Sequence, residues 1–183
     1  MSWNGVGMLI EVQGKMDAMQ YCEILEEGVE ESIESLEMAE DRWYFQQDND
    51  PKHTSKKAEQ WFSDNNIIPM KWPAQSPDLN LIEHLWQHLK AKLQQYDTLP
   101  KGVHELWDRV VKEWTETPPE TCQKLIESMP RRIQAVCFRG KGGSYKVSDG
   151  KIIEGQKTAP MIDYFVWFIE QSVLIVITWF LIW

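Results

Sequence analysis

The sequence has little cysteine, no surplus of positive charge and no leader-like start. Its three cysteines, Cys22, Cys122 and Cys137, are odd in number and widely separated in a chain of 183 residues. They form neither a disulfide framework nor a zinc site, and they suit a reducing compartment. The formal net charge is −9, from 28 acids and 19 bases. That excludes a protein that coats nucleic acid through bulk positive charge, although not a local basic patch. The opening MSWNGVGMLIEV has no basic stretch followed by an apolar one, so no secretory signal is read there. No internal repeat is apparent. Hydrophobic residues at 43% and charged residues at 26% give an ordinary globular balance, which rules out wholesale disorder and a polytopic membrane protein. At roughly 150 residues per domain, the length fits one domain and an extension.

What is present is unevenly spread. Residues 1–50 carry thirteen acids and two bases, whereas the remainder carries fifteen acids and seventeen bases. Most of that acid lies between Asp17 and Asp41. There Tyr21, Cys22, Leu25, Val29, Ile33 and Leu36 recur at three- and four-residue steps, so the spacing predicts an amphipathic helix with an acidic, solvated face. Asp17 is placed to cap it. Before it, Asn4-Gly5 is a hairpin signal, a strand is predicted over 6–12, and Gly14 ends that strand. After it come a short apolar strand at Trp43-Tyr44-Phe45, a helix over about 55–65 and a strand over 67–70. The run Pro73-Ala74-Gln75-Ser76-Pro77 is a loop, because proline removes donors and restricts the residue before it.

Three further helices are predicted. The first covers about 81–96, with Ile82, Leu85, Trp86, Leu89 and Leu93 on one face. The second carries Val103, Leu106, Trp107, Val110, Val111 and Trp114, and the third carries Cys122, Leu125, Ile126 and Met129, ending at Pro130. Ten tryptophans, several at helical spacing, read as core anchors. The alternation of strands and helices says α/β.

Two carboxylates stand out by position. Asp48 follows a short buried strand, at the edge where open α/β sheets present ligands. Glu83, thirty-five positions later, sits in the first turn of a helix entered from the proline-rich loop. Two carboxylates that converge repel each other unless a cation or proton lies between them, and a hard divalent ion takes such oxygen ligands. Plainer accounts stand beside this one. Asp-Asn-Asp-Pro is a turn sequence that satisfies its own backbone, and Asn80 with Glu83 has capping-box spacing. His53 reads as a polar turn histidine, with a site role as the alternative. His84 and His88 at i, i+4 have zinc-ligand spacing, but no third ligand is obvious.

The run WYFQQDNDPKHTSKKAEQWF (43–62) followed by PAQSPDLNLIEHLWQHLK (73–90) resembles the catalytic core of mariner-superfamily DNA transposases, in the branch with an Asp-Asp-Glu triad. The likeness continues through SWNGVG, GKMDA (14–18), ELWDRVVKEW (105–114), SMPRRIQAV (128–136) and KGG (141–143), covering about residues 2–146. The resemblance implies a ribonuclease-H-like mixed sheet flanked by helices. It implies Asp48 and Glu83 as the second and third carboxylates of a site for Mg²⁺ or Mn²⁺, cut-and-paste DNA cleavage and strand transfer, TA target DNA and a nuclear location. It also gives the expected division of the chain: a partial catalytic domain at 1–146, a linker at 147–163 and a hydrophobic tail at 164–183.

Departures from the pattern shape the expectation. The family's first aspartate, on the first strand, and its helix-turn-helix modules belong upstream of the SWNGVG region, so the sheet is expected to be incomplete on that side. The chain is then expected to fold poorly or self-associate, to bind metal weakly and to be inactive alone. Leu81 replaces a proline, which softens the entry to the helix of Glu83. Arg131, Arg132, Arg139, Lys141 and Lys146 form a strip with no acid among them, which can contact DNA backbone through charge or be a solvated helix end and tail. That leaves a non-catalytic DNA- or transposase-binding fragment as the alternative function.

The segment 164–183 raises a third possibility, a membrane tail anchor. Twenty residues can span a bilayer, but Glu170 falls inside, at a cost of about 2.5–3.5 kcal/mol near the centre of a span. Only the twelve residues from Ser172 are free of charge, too few to cross.

Overall fold

The computed structural model describes residues 1–12, 14–38, 43–72 and 79–139, with three short strands beyond them. In chain order the elements are helix α1 (Ala18–Ser35), strand β1 (Trp43–Gln46), α2 (Lys56–Asp64), α3 (Leu81–Leu93), α4 (Val103–Thr115), α5 (Pro119–Glu127), α6 (Met129–Arg139), β2 (Val147–Ser148), β3 (Lys151–Ile152) and β4 (Ser172–Ile175).

Strand β1 is the middle layer. Successive strand side chains point to opposite faces. Trp43 and Phe45 accordingly join a core with Tyr21, Leu25 and Val29 of α1 and Ala58 and Phe62 of α2. Tyr44 packs on a second core, built from Leu81, Ile82, Leu85 and Trp86 of α3, Val110 and Trp114 of α4, and Cys122 and Ile126 of α5. Helices thus cover both faces of β1. Along one edge, Met70 N–H donates to the Phe45 carbonyl (2.7 Å) and Phe45 forms a parallel bridge with Pro69. Along the other, β4 pairs in parallel, Trp43 opposite Ser172 through Gln46 opposite Ile175. The predicted strand at 67–70 is therefore a single bridge. Strands β2 and β3 pair antiparallel with each other.

Helix α1 forms as its pattern dictates. Asp17 accepts from Met19 and Gln20 N–H, satisfying two donors of the first turn. Tyr21, Ile24, Leu25, Gly28 and Val29 are buried, while Glu23, Glu26, Glu27, Glu30, Glu31 and Glu34 face solvent. In α4 the apolar stripe is narrower than predicted. Val110 and Trp114 are buried, but Val103 and Val111 are exposed.

Residues 6–12 are not a strand. Among the described residues they pair with no ladder partner; Met8 N–H donates to Ser32 Oγ (3.0 Å), and the Gly7 carbonyl accepts from Trp114 Nε1 (2.8 Å). Alternation also fails, since Val6 and Leu9 both pack on the α3–α5 core. The turn before this segment is shifted by one residue. A bridge joins Ser2 to Gly5, so Trp3 and Asn4 are the central pair, and Gly5 (φ 136°) closes the turn. Beyond α5, Pro130 does not end helical structure. It is the second residue of α6, where its missing N–H costs nothing.

No helix among the described residues is long and apolar enough to cross a membrane, and residues 172–175 are strand. The rest of the 164–183 tail lies outside the described residues.

Candidate functional site

Asp48 lies two residues past β1, on the loop that leads to α2. Its carboxylate is half-exposed, at 44%, and one oxygen is fully engaged: Oδ1 accepts from Asp50 N–H (3.0 Å) and from His53 Nδ1 (2.6 Å). The turn reading of Asp-Asn-Asp-Pro is therefore correct for Oδ1. Oδ2 has no hydrogen-bond partner among the described residues. The hydrogen bond from His53, followed by that from Asp50 N–H, holds the carboxyl below its ordinary range against the opposing effect of partial burial. Asp48 is thus held at one oxygen, with no partner for the other among the described residues.

His53 lies in the turn at 51–54, as its sequence reads, but it is buried. It is 4% exposed and its ring lies over that of Tyr21, with centroids 4.3 Å apart. Its N–H donates to the Asp50 carbonyl (2.9 Å), and its carbonyl accepts from Gln47 Nε2 (3.1 Å). The Tyr21 hydroxyl in turn donates to Gln47 Oε1. Burial, with the charge of Asp48 adding to it, pushes the Tyr21 phenol far above its usual range, so it stays a donor. The sequence signal for this network is slight: Tyr21 reads as one more apolar residue of α1, and Gln47 carries no motif of its own.

Glu83 is in the first turn of α3 and exposed. The capping-box account fails. The Asn80 side chain makes no capping bond, and the Glu83 carboxylate has no hydrogen-bond or ion-pair partner among the described residues. Leu81, at the position of the expected proline, is 1% exposed, so burial rather than a preset φ fixes the start of α3. The loop of Asp48 and the start of α3 share one anchor. Asn49 Nδ2 donates to the Trp72 carbonyl (2.8 Å), and Trp72 packs in the core with Leu79, Leu81 and Ile82.

The other sequence candidates fall as follows. Among the described residues no group of three or more His, Cys, Asp or Glu is arranged to hold a metal ion. His84 Nε2 instead meets the Arg132 guanidinium, whose Nε donates to Ser128 Oγ (2.6 Å). Arg132 is therefore a half-buried bridge between α6 and α3, and Arg131 is exposed. The side chain of Arg139 and residues Lys141 and Lys146 lie outside the described residues.

A central strand covered by helices on both faces, with an aspartate just past its end, is a ribonuclease-H-like arrangement. The model of the DDE superfamily endonuclease family matches residues 3–106, and the chain belongs to that family. It is 38% identical over 132 residues to the Tcb1 transposase of Caenorhabditis briggsae and 39% identical over 131 residues to the Tc1 transposase of Caenorhabditis elegans, covering 72% of this chain and 46% of each relative. The Tc3 transposase of Caenorhabditis elegans is 32% identical over 122 residues, covering 67% of this chain and 36% of that protein. The chain thus spans about half the length, or less, of these relatives, and the stretch it represents is transposase catalytic domain. The fold agrees with that of the Mos1 transposase catalytic domain solved with Raltegravir and Mg: the TM-score is 0.63 at 19% identity, over 78% of this chain and 73% of that one. A second structure of that domain, with Raltegravir and Mn, gives the same TM-score and identity.

Proposed function

We propose that this chain supplies two carboxylates, Asp48 and Glu83, to a divalent-metal site used for cleavage and joining of DNA in transposition, with DNA as its partner and the nucleus as its place of work. The single observation that carries the reading is the state of Asp48: ionised, with Oδ1 locked by two donors and Oδ2 without a described partner. Glu83 supports it with an exposed carboxylate that has no partner among the described residues. The donor chemistry fits Mg²⁺ or Mn²⁺, which take carboxylate oxygens and keep water and phosphate as further ligands. The Mos1 structures, with Mg and with Mn, support the same choice of ion. When bound, such ions lower the pKa of an attacking water or hydroxyl and stabilise the leaving oxygen of a phosphodiester.

The chain's own residues do the rest. His53 and the Asp50 N–H orient Asp48, burial of Leu81 and Ile82 fixes the first turn that bears Glu83, and Asn49 ties the Asp48 loop to Trp72. The family pattern uses three carboxylates, and this stretch supplies two of them, Asp48 and Glu83.

The test is a chimera in which a relative's aspartate-bearing strand and helix-turn-helix region precede this chain. Mg²⁺-dependent cleavage of that relative's transposon ends, lost in Asp48→Asn and in Glu83→Gln, is the expected result. A folded chimera that cleaves no DNA, or that cleaves equally with both substitutions, overturns the reading.

A further inference from the structure

His53 is held by more than the turn that contains it. Its N–H makes the turn's own bond to the Asp50 carbonyl, its ring is tilted against that of Tyr21, its carbonyl accepts from Gln47 Nε2, and Gln47 Oε1 in turn accepts from the Tyr21 hydroxyl. The imidazole lies with Nδ1 at Asp48 Oδ1 (2.6 Å) and its ring against that of Tyr21. An imidazole Nδ1–H is the ordinary donor to a carboxylate oxygen. Alone, the side chain of a half-exposed aspartate rotates among several rotamers. Here a buried ring engages Oδ1, and Oδ2 is the oxygen without a partner among the described residues. Metal ligands commonly depend on such outer partners for their orientation.

We infer that His53 is a positioning residue for Asp48, held in register by Tyr21 of α1 through Gln47, and that it presents Asp48 Oδ2 to the metal. This rests on Asp48 being a metal ligand. Helix α1, whose acidic outer face suggests only a solvated surface, thereby reaches the site through its buried face.

Asparagine and glutamine separate positioning from packing. In His53→Asn the introduced amide nitrogen can take the place of the imidazole Nδ1, whereas in His53→Gln the longer side chain carries its amide to the place of Nε2. The experiment is Mn²⁺ binding to the full chain, followed by electron paramagnetic resonance, for wild type, Asp48→Asn, His53→Asn and His53→Gln, with thermal unfolding of each. Expected is binding by wild type that Asp48→Asn abolishes, affinity near wild type in His53→Asn, and a loss of about tenfold or more in His53→Gln. Both His53 variants should unfold at similar temperatures. Equal losses in His53→Asn and His53→Gln, or none in either, overturn the positioning role while the metal reading stands. Binding unaffected by Asp48→Asn, or no binding by wild type, overturns the metal reading and this inference with it.

Discussion

Gly7 lies against Ser32 so closely that a β-carbon at position 7 would stand 2.7 Å from Ser32 Oγ and 2.8 Å from its Cβ. The same serine accepts from Met8 N–H, and the Gly7 carbonyl accepts from Trp114. The N-terminal segment is thus clamped between α1 and α4 without a sheet partner among the described residues. Gly7→Ala must push that segment off α1, at a cost of about 1–3 kcal/mol. Ser32→Ala strands the Met8 N–H, at about 1–3 kcal/mol. Gly28→Ala is milder, because the atom it meets is Ile10 Cδ1, the far end of a flexible side chain. Urea unfolding of the three variants checks the order. A Gly28→Ala loss exceeding that of Gly7→Ala would contradict it.

The parallel pairing of β4 on β1 fills an edge that would otherwise present unpaired backbone groups. Ending the chain after residue 163 should lower the unfolding temperature and promote association, and light scattering with thermal unfolding reads both. A shortened chain that remains monomeric with unchanged stability would show that the pairing contributes nothing.

Asp17 gives a pH signature. Hydrogen bonds from the Gln20 and Met19 N–H groups, in that order of effect, hold its carboxyl below the ordinary value of 3.8. A carboxyl with a lowered folded pKa contributes stability that is fully present above its unfolded pKa and is lost as pH falls through the folded one. The contribution of Asp17 should therefore be constant at neutral pH and fade only below about 3.8. Asp17→Asn keeps a capping oxygen and should remove that part of the acid dependence. Thermal unfolding between pH 2 and 7 measures it, and an Asp17→Asn profile identical to wild type below pH 4 would contradict the assignment.

Arg131 and Arg132 should behave differently on DNA, although both read as one basic strip. Arg131 is exposed and Arg132 is committed to His84 and Ser128. If the strip meets phosphate, Arg131→Gln should reduce the slope of log affinity against log salt by about 0.9 with unchanged stability. Arg132→Gln should lower stability as well, by loosening α6 from α3. Equal effects of the two on stability would contradict the division.

What was legible in the sequence follows from range. The 3.6-residue periods of α1 and α3 and the cap at Asp17 are local and came through. Segment 6–12 has the composition of a strand, but a strand exists only through a partner, and none of the described residues supplies one. Pro130 reads as a stop because proline is excluded from helix interiors, whereas the chain restarts there and uses it in a first turn. At the candidate site, Asp48 and Glu83 stand out by their positions in the pattern, and motif resemblance adds the role proposed for them. The setting of His53 was not, since its burial depends on Tyr21, thirty-two residues earlier on another element.

Asp48 and Glu83 are proposed to serve one ion. Mn²⁺ affinity measured for wild type, Asp48→Asn, Glu83→Gln and the double variant tests it most directly, because ligands of one site are strongly non-additive whereas distant sites add. Each single substitution should remove most of the binding, and the double variant should lose no more than the weaker-binding single. Binding that survives Glu83→Gln unchanged, or losses that multiply as for independent sites, would contradict it.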